Sequence, residues 1–288
     1  MKTESKPART EKKGTKQNVY YGQVQPNPIL KQFVQCHWVV RAESRTLPTL
    51  DHGVIPGGYV DIVFNVGDRI YMSDSGGIWV DRARGFVAGP FDRLRRFRAE
   101  GQFEFLGVRF HLGRVPFFSS LSLGDVRNRT VLLDAVLEDQ GLRGELQALE
   151  RRLAQVSGTA QRIAYVERFL MKFLRYGKEP DAVVTRALSL IEESKGQISV
   201  EALSSALSVS DRQLERKFTQ HVGLSPKALC RVTRFQQVKS LLENTREPSG
   251  CDLASASESL SIEAHDLTSI QQPCSLSARR SSHTCPSS

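Results

Sequence analysis

The stretch 198-ISVEALSSALSVSDRQLERKFTQHVGLSPKAL-229 decides how the second half of this chain folds. It divides at 208-SVS-210 into two short helical runs. Ser199 is placed to cap the first and Ser210 the second, and Gln213 stands three residues after Ser210, the spacing of a capping box. In the second run Leu214 and Phe218 are four apart and so share one face, the inward one. Arg212, Glu215, Arg216 and Thr219 then fall largely on the other. Upstream, 181-DAVVTRALSLIEESKG-196 opens on a capping Asp181, closes on Gly196, and buries Val184, Leu188 and Ile191. Downstream, 229-LCRVTRFQQVKSLL-242 continues the helical texture, so 181–244 reads as four helices in close succession.

Two short helices joined by a tight turn, the second with an outward Arg-rich face, have the form of a helix-turn-helix that places its second helix in a DNA major groove. Arginine is the side chain best matched to the paired acceptors of guanine, which makes Arg212 and Arg216 the candidates for base readout. Lys217, Lys227, Arg231 and Arg234 are suited to phosphates, while Ser210 and Gln213 sit at the end of the helix that approaches the duplex. Between Ser210 and Ser240 there are seven Lys/Arg and two Asp/Glu, a local +5 in 31 residues. A solvated face is the ordinary use of exposed arginine; the setting inside this motif favours DNA contact.

Outward from this segment the texture changes twice. Residues 1–17 hold six Lys/Arg, two Glu and no aromatic, a composition that reads as a disordered basic tail. From 18 to 124 short runs rich in Val, Ile, Phe and Tyr are broken by Gly, Pro and Asp, as in 54-VIPGGYVDIVFNVGD-68, 85-GFVAGP-90 and 97-FRAEGQFEFLGVRFHLG-113. They read as strands of an antiparallel sheet domain, with Pro56-Gly57-Gly58 as turn punctuation. The cluster 93-RLRRFR-98 is assigned to a strand or loop of this domain rather than to DNA. Between 125 and 180, Leu146, Leu149 and Leu153, then Ile163, Val166, Phe169 and Leu170, show helical spacing and form a connector. Its apolar faces leave two uses open, packing within the chain or a homodimer seam.

The run 203-LSSALSVS-210, with Leu214, Arg216 and Phe218, then Gly223-Leu224-Ser225-Pro226 and the helix 229–242, resembles the first helix-turn-helix and connecting helix of the AraC/XylS transcription regulators. The resemblance implies DNA contact by Ser210, Arg212, Glu215 and Arg216. It covers about 65 residues, with Ser204 where the family usually has Ala. The motifs 55-IPGGYVDIVFNVGD-68, 87-VAGP-90 and 106-LGVRFHLG-113 resemble an uncharacterised sensor domain found ahead of that module, with Gly57 in place of an acidic residue. Such domains are similar to small cupin-type barrels, which implies a pocket for a small-molecule effector without naming one.

The family's second helix-turn-helix should occupy about 251–285. Here 251–288 has eleven Ser, three Cys, no Gly, no aromatic and a charge of −2, a composition poorly suited to a core or to DNA. The length is right and the letters are wrong, as a reading-frame shift near codon 251 would produce; 181–250 is then only the first half of such a module.

Across all 288 residues the net charge is +9, with 40% hydrophobic residues. Five scattered cysteines fit reduced thiols in the cytoplasm better than disulfides, and no run reaches the roughly 18 apolar residues of a membrane span. The six histidines form no H-x-H or H-E-x-x-H pair, and no nucleophile elbow, P-loop or dinucleotide fingerprint occurs. Asp51, His52 and Asp61 are the acid–base candidates that remain; for Asp61 a hydrogen-bonding role at a turn or strand edge is preferred. The expectation is therefore an α+β chain that is not an enzyme and needs neither metal nor cofactor. It has an N-terminal antiparallel β-rich, cupin-like domain, a helical connector and a C-terminal all-α helix-turn-helix domain, and double-stranded DNA as partner. The competing expectation is a truncated remnant that binds ligand or dimerises without effective specific DNA binding.

Overall fold

A computed structural model of the chain describes residues 19–42, 50–54, 56–73, 78–81, 84–93, 95–99, 101–115, 122–173 and 180–244. The expected tail at 1–17 and the serine-rich segment at 251–288 lie outside these residues. The fold class is the expected one: antiparallel strands in the first half, helices in the second.

A six-stranded sheet has the order β1 (Val19–Val24), β2 (Val34–Ala42), β9 (Glu104–Phe110), β4 (Asp61–Asn65), β7 (Gly85–Ala88) and β10 (Thr130–Leu132). A four-stranded sheet runs β3 (Leu50–Val54), β8 (Arg95–Ala99), β5 (Ile70–Ser73) and β6 (Ile78–Val80), and the pairings in both are antiparallel. The apolar run 54–68 is thus not one strand. Pro56 lacks the N–H that a ladder needs and Gly58 turns the chain at φ +69°, so β3 ends in one sheet and β4 begins in the other.

Every residue of β4 is buried because both faces of the larger sheet are covered. Successive side chains alternate across a strand. Val63 therefore joins Ile70, Met72, Phe86, Phe97, Phe103 and Phe105 between the two sheets, whereas Ile62 and Phe64 join the opposite layer. The inter-sheet space is filled by aromatic rings, with Phe97 edge-on to Phe105 at 5.4 Å between centroids. The opposite layer is supplied by the connector: α1 (Leu133–Val136), α2 (Gln140–Gln155) and α3 (Thr159–Phe173). Leu146, Leu149 and Leu153 of α2 and Ile163, Val166, Phe169 and Leu170 of α3 form one cluster with the sheet, which is the packing use of their apolar faces. Polar ties add to it: Glu150 accepts from the Gly85 amide at 2.8 Å, Arg162 meets Glu104 at 2.9 Å, and Glu167 meets the fully buried His37 at 3.0 Å.

Four helices complete the described chain: α4 (Ala182–Glu193), α5 (Val200–Ala206), α6 (Asp211–His221) and α7 (Pro226–Asn244). They build a core of their own from Val184, Ala187, Ile191, Leu203, Leu214, Phe218, Val222, Leu224 and Leu229. No helix among the described residues is long and apolar enough to cross a membrane.

Candidate nucleic-acid interface

Local chemistry fixes the ends of α5 and α6. Ser199 Oγ accepts from the Ala202 amide at 3.1 Å and starts α5. Ser208 then takes a left-handed conformation, φ +53°, which reverses the chain before α6. Ser210 and Gln213 form a reciprocal capping box: the Ser210 amide donates to Gln213 Oε1 at 3.1 Å and the Gln213 amide donates to Ser210 Oγ at 3.3 Å. Both residues named for DNA contact at this end therefore already satisfy each other, yet both stay exposed. The helix N-terminus they cap carries partial positive charge, with Asp211 in its first turn.

The inward face of α6 is Leu214 and Phe218, each with no exposed surface; burial of each is worth roughly 1.5–3 kcal/mol. Arg212, Glu215, Arg216 and Thr219 are exposed, as the spacing predicts. At about 100° per residue, Arg212, Arg216 and Thr219 fall within roughly 60° of arc, a single stripe. Ser225 caps α7 by accepting from the Ala228 amide at 3.1 Å, and Pro226 occupies the first helical position. Lys227 and Arg231, four residues apart, are exposed on one face of α7.

Two of the cations assigned to phosphates are turned to internal use. Lys217 pairs with the carboxylate of Asp181, the residue that caps α4 by accepting from the Val184 amide at 3.0 Å. Burial alone would raise the Asp181 carboxyl, but the bonds from Lys217 and Val184 and the positive charge nearby hold it below its ordinary value. Arg234 donates to the Gly196 carbonyl at 2.7 Å, closing the end of α4 onto α7. The sequence hides this because the partners lie 36 and 38 residues away. The signals present were the capping Asp181 and the terminal Gly196.

In the β-rich half, Asp61 is a cross-strand ion-pair partner rather than an acid–base group. Its two oxygens accept from Arg109 Nε and Nη2 at 3.0 and 2.8 Å, directly opposite in the β4–β9 register, and the guanidinium lies over the Tyr59 ring at 4.7 Å. Asp51 and His52 lie on β3, in register with Arg98 and Phe97 of β8. Among the described residues no group of three or more His, Cys, Asp and Glu is placed to hold a metal ion. Of the cluster 93–98, Arg95 to Arg98 lie in β8, in keeping with the strand or loop expected of it.

The model of a domain of unknown function (DUF6597) matches residues 22–132, from within β1 to the end of β10. No curated protein matches the chain in sequence. Among solved structures, ToxT from Vibrio cholerae is similar over 78% of this chain and 88% of its own, at 7% identity and a TM-score of 0.43. The AraC-like transcriptional activator CuxR is similar over 78% of this chain and 87% of its own, at 13% identity and a TM-score of 0.30. The cupin domain of an XRE-family transcriptional regulator from Enterobacter cloacae is similar over 33% of this chain and 98% of its own, at 14% identity and a TM-score of 0.27.

Proposed function

We propose that this chain is a cytoplasmic, sequence-specific DNA-binding transcription regulator of the AraC/XylS type that places α6 in the major groove of double-stranded DNA. The observation that carries the reading is the exposed Arg212–Arg216 stripe on a capped helix whose other face, Leu214 and Phe218, is buried. A helix fixed on one side and arginine-lined on the other is what direct readout requires. Arg212 and Arg216 read bases, Ser210, Gln213 and Glu215 contact the groove edge, and Lys227 and Arg231 meet phosphates. Lys217 and Arg234 support the helices that carry these residues. A small-molecule effector for the β-rich domain belongs to the same reading. Among the described residues, Phe86, Phe97, Phe103 and Phe105 pack together between the sheets.

A mobility-shift titration of the full chain over a salt series tests this. A regulator gives a discrete complex with one subset of duplexes, typically 10³-fold or more tighter than with the rest. Weak, sequence-indifferent binding that vanishes with added salt supports the second reading, a remnant, which the acidic serine-rich composition of 251–288 favours.

A further inference from the structure

The four-stranded sheet has one covered face and one open one. Ile70, Met72, Val80, Phe97 and Ala99 are buried in the cluster it shares with the larger sheet. Successive residues alternate across a strand, so Tyr71, Trp79 and Arg98, each next to one of these, lie on the opposite face. The register sets them in one row across three strands: Arg98 of β8 opposite Tyr71 of β5, and Tyr71 opposite Trp79 of β6. The Tyr71 and Trp79 rings stand 4.9 Å apart between centroids, tilted by 55°. Cross-strand packing of this kind stabilises a sheet, but it leaves Trp79 51% exposed, and Arg98 beside the pair is exposed as well.

The row is set in positive charge. Residues 93–98 hold four arginines and no acid, and the strands of this sheet together carry three Arg against one Asp. Arg96, two residues along β8 from Arg98, stands in register with Ser73 and Gly53. At the other end, the exposed Asp81 is already paired with Arg69 at 2.7 Å. A sugar or an apolar peptide would use the rings and leave the arginines without a role. A polyanion without bases would do the reverse. Single-stranded nucleic acid presents base π faces and phosphates side by side, the two chemistries this row places next to each other. A duplex keeps its base faces inside its own stack and offers such a surface only its backbone.

We propose that the outer face of the four-stranded sheet binds single-stranded nucleic acid, with a base stacked on Trp79 beside Tyr71 and a neighbouring phosphate held by Arg98. This gives a use to the 93–98 cluster, which the helix-turn-helix reading leaves without one. The site is independent of α6, and it stands even if the helical unit binds no duplex.

The test titrates the full chain into end-labelled oligo(dT) and oligo(U) of about 12 nucleotides, a length typical of single-strand sites. Label anisotropy and tryptophan emission are followed together. The parent is expected to bind both alike, because stacking reads neither base edges nor the 2′-hydroxyl, and to lose emission as the base stacks. Trp79→Ala should weaken both oligonucleotides by roughly 5- to 150-fold and abolish the quench, although Trp38 remains. Trp79→Phe, which keeps a ring, should retain most of the affinity. Arg98→Gln should reduce the salt slope by about 0.7. Arg212→Ala/Arg216→Ala should bind the oligonucleotides as the parent does, which separates this site from the duplex reading. Unchanged affinity of Trp79→Ala, with its melting transitions in place, overturns the proposal. So does inorganic polyphosphate that binds as tightly as the oligonucleotides, or loss of oligonucleotide binding in the Arg212→Ala/Arg216→Ala variant. Failure of the parent to bind either oligonucleotide at low salt overturns it too; a fall in sedimentation rate with Trp79→Ala then assigns the face to a second copy of this chain.

Discussion

Two helical units pack against the same β-rich domain, and they do so by different chemistry. The connector helices α2 and α3 share one continuous apolar core with the larger sheet, in which Leu146, Leu153, Val166 and Phe169 meet Ile62, Phe64, Leu106 and Val108. The α4–α7 unit keeps a separate core, to which the β-rich half adds Leu112; among the described residues the contact also includes Pro56, Gly58, Pro90, Asp92, Gly113, Ser122, Leu123 and Gly124. Apolar burial is worth about 25 cal/mol per Å² and is lost as a whole when such an interface opens. At the second interface glycines pack on Leu224 and Leu229, beside a few hydrogen bonds and the Arg231–Asp92 pair at 3.8 Å. The first interface is therefore continuous with the core of the sheet, and the second joins two separate cores and is expected to open at lower cost.

The largest expected effect breaks or sustains that contrast directly. Phe218→Ala should cost the helix-turn-helix unit about 3–5 kcal/mol. If the second interface is weak, thermal unfolding followed by circular dichroism then shows an early transition of α4–α7 with the β-rich transition unmoved. Leu153→Ala, at about 2–5 kcal/mol, should do the reverse, lowering the transition of the sheet and connector together. Both transitions falling in step in either variant would mean one cooperative body and would erase the distinction.

Arg216→Ala comes next and touches neither core. It should leave both transitions in place while costing about 1–3 kcal/mol of specific DNA binding, roughly 5- to 150-fold in dissociation constant. A smaller effect should be confined to the first interface and to mild acid. Burial outweighs the Glu167 partner and holds the His37 imidazole below its ordinary 6.5. The unfolded chain therefore takes up this proton first, so stability is full above pH 6.5 and falls as the pH drops below it through the lower folded value. His37→Gln should flatten that part of the stability profile, and an unchanged profile would remove His37 from the account. The smallest effect is expected at α7, where Lys227→Ala should weaken binding to all duplexes alike and reduce the salt slope by about 1 without altering sequence preference.

What could be read from the sequence divides along the same line. The helices from 181 onward were legible because their caps, Asp181, Ser199, Ser210 with Gln213, and the apolar pairs such as Leu214 and Phe218 are local signals. Strand content was legible too, but not the pairing order, which joins β2 to β9 and β4 to β9 across dozens of residues. Long-range polar partners were invisible for the same reason. Nothing near Lys217 announces Asp181, and nothing near Arg234 announces the Gly196 carbonyl, the partners that the fold gives these two cations. Asp61 was legible as a hydrogen-bonding residue, and the β4–β9 register supplied the partner, Arg109. Likeness to small barrels implied a pocket without placing it, and no local signal announced that Phe97, Phe103 and Phe105 would pack together.

The measurement that bears most directly on the central claim is selection of duplexes from a random-sequence pool by the full chain, repeated with Arg212→Ala/Arg216→Ala. The account predicts that the parent enriches a single short motif containing guanine and that the double variant, folded to the same melting transitions, enriches none. Enrichment of the same motif by both proteins would contradict it, because the stripe on α6 would then not be what reads DNA.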